Sequence, residues 1–338
     1  MNMRFMGSTG VKISELCFGT MTFGGQGYWQ IIGTLGQNEA DKLVAISLEA
    51  GVNFFDTANV YSLGMAEELL GKALGPRRKD VIVATKVRGR MGEGPNDVGL
   101  SRRHITESCE ASLKRLGTDY IDLFQVHSFD PFTPLEETLS VLNDLIHQGK
   151  VRYIGCSNFA GWQLMKALSI SREQLWEKFV TLQAYYSLAA RELEFELLPL
   201  CLDQQLGVLV WSPLSGGFLT GKFRKGQKPP NGTRRTDPDK VFLKIDEDKG
   251  YAIIDELEKI AREHNASIAQ AALNYLLRRR GVSSVIIGAR TPEQLQDNLK
   301  TVNWEMTPDE VARLDEISKP PRIYPYWFLE SGIQARTR

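Results

Sequence analysis

Four titratable residues interrupt or close apolar stretches of this chain. Asp56 follows VNFF, Tyr61 comes five residues later, Lys86 follows VIVAT, and His127 follows YIDLFQV. An apolar run does not tolerate such a group without a partner, and together the four have one coherent use. A carbonyl that receives hydride on carbon must receive a proton on oxygen. A phenol, with a pKa of about 10, is too weak an acid for that unless its anion is stabilised. On this reading Lys86, kept charged and oriented by Asp56, lowers the pKa of Tyr61. Tyr61 then delivers the proton, while His127 hydrogen-bonds the carbonyl oxygen and orients it. Each residue also has a plainer reading: Asp56 as a helix cap, Tyr61 as a loop aromatic, Lys86 as a rim charge, His127 as a satisfied core histidine. The cap reading fails on distance, because Asp56 lies seven or eight residues before the helix that starts near Gly64.

Positioning four such groups requires a rigid frame. Apolar, β-branched runs recur at 14–19, 52–57, 80–85, 120–125, 151–157, 180–184, 207–212 and 283–288. Helix-period segments alternate with them at 38–50, 64–74, 101–116, 134–148, 160–169, 194–206 and 292–301. Alternation of this kind implies parallel strands joined by helical crossovers. Eight repeats predict an α/β fold of the (β/α)8 TIM-barrel type, as one domain over residues 1–338. A doubly wound sheet is the rival, but no GxGxxG follows the first strand. An insertion after the seventh strand, residues 213–282, carries a Gly/Pro/Lys/Arg-rich loop and two helices at 250–264 and 267–280. Residues 3–16 fit a short hairpin around Ser8, Thr9 and Gly10. The tail from Pro320, PPRIYPYWFLE, is read as non-helical, a surface strap or pocket wall over the active face. In such a barrel polar residues at strand ends converge on one face. Asp56, Lys86 and His127 end the second, third and fourth strands, and Tyr61 lies in the loop after the second.

No residue stores a hydride, so a nicotinamide or flavin is required. Ser157 and Asn158, after the fifth strand, and Gln183, in the sixth, offer groups suited to a nicotinamide carboxamide; turn and sheet hydrogen bonding is their alternative. Trp211 ends the seventh strand and presents a ring to stack on nicotinamide or to pack in the core. The loop from Ser212 through Pro213, Leu214 and Gly216 can approach a pyrophosphate. Gly216 to Lys222 also reads GxxxxGK, but Phe223 stands where a triphosphatase needs Ser or Thr for magnesium. After the eighth strand come Gly288, Arg290, Gln294, Asp297 and Asn298. A guanidinium there suits a 2′-phosphate, so the expected cofactor is NADPH.

Lys+Arg and Asp+Glu both number 41, which gives no global field toward nucleic acid or an anionic membrane. The apolar runs are too short to span a bilayer and the N-terminus lacks a signal-like apolar region. The four cysteines form no CxxC pair, so neither a zinc site nor any other metal site is expected and a cytoplasmic location fits. The expected partner is a small-molecule carbonyl compound. Nothing in the pattern sets an oligomeric state.

GVNFFDTANVYSLGMAEELLGKAL, ATKV and DLFQVH, in this order and spacing, resemble the signatures of the aldo-keto reductase family, and the resemblance spans essentially the whole chain. It implies that Asp56, Tyr61, Lys86 and His127 form a catalytic tetrad with none substituted. It implies further that Ser157, Asn158 and Gln183 bind the carboxamide, and that Lys222 and Arg234 clamp phosphates. Gly19, Thr20, Met21 and Asp56 join the cofactor set. The segment at 212–222 resembles the pyrophosphate loop of the bacterial members and of the potassium-channel β subunits. A nucleotide-holding regulatory subunit is therefore the second reading, against which His127 stands, since the resemblance implies Asn there in those subunits. Candidates for the substrate wall are Phe23, Trp29, Phe129 and the tail residue Tyr324. The segments at 28–36 and 88–100 read as loop extensions or lids.

Overall fold

The computed structural model describes residues 1–227 and 243–337. A two-stranded antiparallel hairpin, β1 (Met3–Phe5) and β2 (Lys12–Ser14), precedes a closed barrel. The barrel strands are β3 (Leu16–Gly19), β4 (Phe54–Asp56), β5 (Ile82–Val87), β6 (Ile121–Val126), β7 (Val151–Ser157), β8 (Thr181–Tyr185), β9 (Gly207–Trp211) and β10 (Val282–Ile287). They pair in parallel in sequence order, and β10 closes on β3. Helices α1 (Gln37–Glu49), α2 (Met65–Leu74), α3 (Arg102–Leu116), α4 (Leu135–His147), α5 (Gly161–Gln174) and α6 (Leu197–Asp203) connect the strands through β9. Between β9 and β10 come α7 (Glu247–Glu263) and α8 (Ile268–Leu277), the interruption expected from the strand spacing. α9 (Pro292–Leu299), α10 (Pro308–Ile317) and α11 (Tyr326–Thr337) complete the chain.

The strands form because β-branched and aromatic residues cluster between turn residues, and they are buried on both faces because helices cover the outside. α4 shows the helical half of the pattern. Leu135, Leu139, Leu142 and Leu145 recur at helical spacing and are buried against the sheet. α3 is bounded by its own chemistry: the Ser101 side chain accepts the His104 amide at its start, and Gly117 takes the left-handed conformation at its end.

Within the barrel, Cys17, Phe54, Ala84, Leu123, Leu209 and Ile286 pack on one another, and Met6 and Ile13 of the hairpin join them from below. All four cysteines are free and buried.

The tail departs from expectation. Residues 326–337 form helix α11, not an extended strap. Pro320, Pro321 and Pro325 all precede that helix, so their restriction ends where it starts. α6 is also shorter than the expected 194–206, being preceded by a separate turn at Glu192–Glu194. α5 runs five residues beyond the expected 169, to Gln174.

Candidate active site

Strand alternation builds the site. Phe54, Ala84, Leu123 and Leu209 point into the barrel, and the residues two places further up their strands are Asp56, Lys86, Gln125 and Trp211. Register brings these together: Asp56 lies opposite Ala84, Lys86 opposite Gln125, and Ser157 opposite Gln183. A polar layer therefore crowns an apolar interior at the C-terminal strand ends.

Lys86 has no exposed surface. Its Nζ lies 2.5 Å from Asp56 Oδ1 and donates to the Thr57 carbonyl at 2.8 Å and to the Tyr61 hydroxyl at 3.3 Å. The second Asp56 oxygen accepts from Gln183 Nε2 at 2.8 Å and from Gln125 Nε2 at 3.3 Å. The Tyr61 ring meets Trp29 edge-on at 4.9 Å and His127 at 5.8 Å. The turn after Tyr61 is strained, since Ser62 and Leu63 have φ values of 49° and 53°. Ser62 holds it by donating to the Phe23 carbonyl at 2.7 Å and accepting from Gly25 N at 2.8 Å. The four expected groups are thus brought into one cluster.

The electrostatics add an opposing effect to one expectation. Burial pushes the Tyr61 phenol above its ordinary value, and the Lys86 ammonium opposes that rise without reversing it. Lys86 thus pulls the Tyr61 pKa down as expected, but burial outweighs it, so the phenol remains a weaker acid than a free one in the resting protein. Tyr61 stays a neutral phenol through neutral pH, the form that can donate a proton. Burial pulls Lys86 down, but Asp56 and the contact with Tyr61 outweigh it, so the amine stays charged. His127 is pushed down to about 3, by burial first and then by the charges of Lys86 and Arg88. Its imidazole is neutral, a donor at one nitrogen only.

The expected cofactor residues divide. Asn158, in the left-handed region at φ 54°, donates from Nδ2 to the His127 carbonyl at 2.9 Å and to Ser157 Oγ at 3.0 Å. Its Oδ1 accepts from Trp211 Nε1 at 3.1 Å. Gln183 commits its amide nitrogen to Asp56. Trp211 stacks on Tyr185 at 4.9 Å. Thr20 N and Oγ1 both reach the Asp56 carbonyl, half-buried Met21 follows it, and Gly19 is demanded by the barrel itself, since a Cβ there would come within 2.7 Å of Ile286. Ser212 and Gly216 have positive φ, and Ser212 Oγ accepts the Gly216 amide at 3.1 Å, while Pro213 is buried and the Leu214 carbonyl accepts from Gly217 and Leu219. The exposed Lys222 amine lies over this loop, 2.9 Å from where a Cβ on Gly217 would sit. Gly288 differs from Gly19: a Cβ there would meet nothing within 4 Å, so protein packing leaves that spot open. Arg290 is exposed, and its guanidinium reaches the Ile32 carbonyl at 2.7 Å while Gln294 accepts from its amide. Asn298 donates to the Gly288 carbonyl at 3.4 Å. Asp297 is taken up by Ser267 and Gln270 at the start of α8, a packing role between helices. Arg234 lies outside the described residues.

Among the wall candidates, Trp29 sits on Tyr61. Phe129 is half-buried against Phe159 and Trp162. Phe23 has no exposed surface and packs on Phe18, so it supports the wall from behind. Tyr324 is 73% exposed and lies edge-on to Trp327, its neighbour in the tail. Sequence reasoning missed Gln125 and Tyr185. Gln125 is two residues before His127, and strand alternation from Leu123 places it inward. The Tyr185 hydroxyl donates to Ser215 at 3.1 Å, locking the end of β8 to the loop after β9.

Comparison with known proteins agrees with this geometry. The Aldo/keto reductase family model matches residues 15–319. A probable voltage-gated potassium channel subunit beta of Oryza sativa subsp. japonica is 38% identical, the alignment covering 96% of this chain and all of that one (100%). The oxidoreductase YrpG of Bacillus subtilis is 36% identical, with 95% and 97% covered. Versiconal hemiacetal acetate reductase of Aspergillus parasiticus is 35% identical, with 95% and 98% covered. With an eight-stranded parallel barrel and a polar layer at its C-terminal rim, the chain belongs to the aldo/keto reductase family.

Proposed function

We propose that the protein reduces an aldehyde or ketone to the alcohol with NADPH, Tyr61 serving as general acid. The observation that carries this is the buried chain from Asp56 through Lys86 to the Tyr61 hydroxyl, at 2.5 Å and 3.3 Å. When bound, the reduced nicotinamide supplies a hydride to the carbonyl carbon. Tyr61 gives its proton to the carbonyl oxygen, and the phenolate so formed faces the Lys86 ammonium, whose attraction is strongest once that charge exists. Neutral His127 donates to the same oxygen and fixes its direction. Open space beside Gly288, the exposed Arg290 guanidinium and the Lys222 amine are groups suited to a dinucleotide phosphate. Arg290 supports the choice of NADPH over NADH.

The test mixes the protein with NADPH and a panel of aldehydes, ketones and keto sugars and follows loss of the reduced-nicotinamide absorbance. Turnover is expected for at least one; tight NADPH binding with no turnover on any contradicts the proposal. The relatives named as channel subunits keep a second reading alive, a nucleotide-holding regulatory subunit. It predicts stable co-purification with a partner protein and negligible catalysis.

A further inference from the structure

We propose that Arg88 is an anion-recognition residue at the substrate mouth, and that this site favours carbonyl compounds carrying a carboxylate near the reacting carbon. The inference rests on the reductase reading above and adds a substrate class to it.

Arg88 follows β5 directly, two residues after Lys86. Its φ of 145° lies where a residue with a Cβ is disfavoured, so its surroundings hold it there. The Arg88 carbonyl accepts from Gly99 N at 2.9 Å, and its Nε donates to the Phe129 carbonyl at 3.2 Å. Phe129 lies two residues beyond His127, whose own amide bonds to Val87 at 2.9 Å. The guanidinium is thereby pinned between the ends of β5 and β6, the strands that deliver Lys86 and His127.

Its charge is left over. Lys86 is neutralised by Asp56, and His127 is neutral. Asp130 feels the Arg88 charge, but its oxygens are turned to Leu100 N, Phe132 N and the Thr133 hydroxyl. Among the described residues Arg88 enters no ion pair, and its two terminal nitrogens have no hydrogen-bond partner. A half-buried guanidinium in that state keeps its terminal N–H groups open to an incoming anion, and their parallel pair matches a carboxylate.

The cofactor phosphates are the wrong occupant on grounds of position. The glycine loop and Lys222 follow β9, which is separated from β5 by three strands in either direction around the barrel. Arg88 stands across the mouth from them. A simpler role, stapling two loops through the Phe129 carbonyl, uses Nε alone and leaves the terminal nitrogens unexplained.

The experiment compares kcat/KM for 4-carboxybenzaldehyde and for succinic semialdehyde, each against its own methyl ester, in the wild type, Arg88→Gln and Arg88→Lys. The wild type is expected to prefer at least one acid over its ester by about 10- to 100-fold. Arg88→Gln should bring that ratio close to one, and Arg88→Lys should retain part of it. Arg88→Gly, which suits the positive φ, gives the same readout should Arg88→Gln fold poorly. Esters reduced as well as acids by the wild type would overturn the Arg88 assignment alone, as would an acid preference that survives in both Arg88→Gln and Arg88→Gly. A loop staple predicts a lower Tm with an unchanged acid-to-ester ratio. If the wild type reduces none of the four compounds but turns over other carbonyl compounds, the Arg88 assignment alone falls; if it binds NADPH and reduces no aldehyde, ketone or keto sugar at all, the reductase reading falls and takes this proposal with it.

Discussion

The two ends of the barrel are built from the same strands and differ in kind. At the N-terminal end Met6 and Ile13 of the hairpin close on Phe54, Ala84, Leu123 and Leu209, all buried hydrophobics. Gly7 seals the junction at φ 61°, where a Cβ would come within 2.2 Å of the Val180 carbonyl. A depression of about 320 Å³ there is lined by Met6, Ile82, Asp122, Arg152 and Glu177, and its Asp122 is paired with Arg78 at 2.8 Å. Two residues up these strands stand Asp56, Lys86, Gln125 and Trp211, and Gln183 of β8 joins them by bonding to Asp56. Burying those groups costs stability unless every one is paired. The lower end can be optimised for packing; the upper end is held together by hydrogen bonds whose arrangement suits the proposed reduction.

Substitutions can break that contrast. The largest effect is expected at Lys86. Lys86→Met should lower kcat by about 10²- to 10⁴-fold and, by stranding the Asp56 carboxylate, lower stability by about 3–5 kcal/mol. Adding Asp56→Asn should recover much of the Tm and none of the rate, because the pair serves chemistry more than folding. Thermal melts and steady-state assays on both variants check this. Met6→Ala tests the opposite end: a cavity in the floor should cost about 2–5 kcal/mol while kcat stays within about twofold, a range that would contain no measurable barrier change. A large loss of kcat in Met6→Ala would erase the division of labour.

Smaller effects sharpen it. Arg290→Ala should weaken NADPH by about tenfold and NADH much less, measured by fluorescence titration; equal weakening would remove the 2′-phosphate assignment. The pH profile should be the gentlest signal. Because the Tyr61 pKa is raised, reduction should stay level through neutral pH and decline only as pH passes the ordinary phenol value of about 10. His127 titrates near 3, below its ordinary 6.5, so the folded state holds it neutral. Its contribution to stability is complete above pH 6.5 and is lost as pH falls toward about 3. A rate limb near pH 6 that vanishes in His127→Asn would contradict the neutral imidazole.

Much of this was legible in the sequence because period and order carry it. The recurring apolar runs correspond to the eight strands, and Asp56, Lys86 and His127 are informative because they lie at the strand ends. What escaped depends on register and on neighbours distant in sequence. Gln125 sits inward by simple alternation, but only pairing of β5 with β6 shows its amide reaching Asp56. Tyr185 is one of two adjacent tyrosines in the sequence, and only the pairing of β8 with β9 stacks it on Trp211. The net rise of the Tyr61 pKa is not legible because a motif carries the Lys86 partner but not the burial that outweighs it. The C-terminal helix is hidden in the sequence because Pro320, Pro321 and Pro325 crowd the segment just before it.

The proposed reduction depends on Tyr61 being the proton donor. The direct measurement is single-turnover reduction of an accepted aldehyde by NADPH-saturated wild type and Tyr61→Phe, with NADPH affinity measured alongside. The prediction is a fall of about 10²-fold or more in rate with affinity nearly unchanged. A Tyr61→Phe protein that consumes NADPH as fast as the wild type would contradict it.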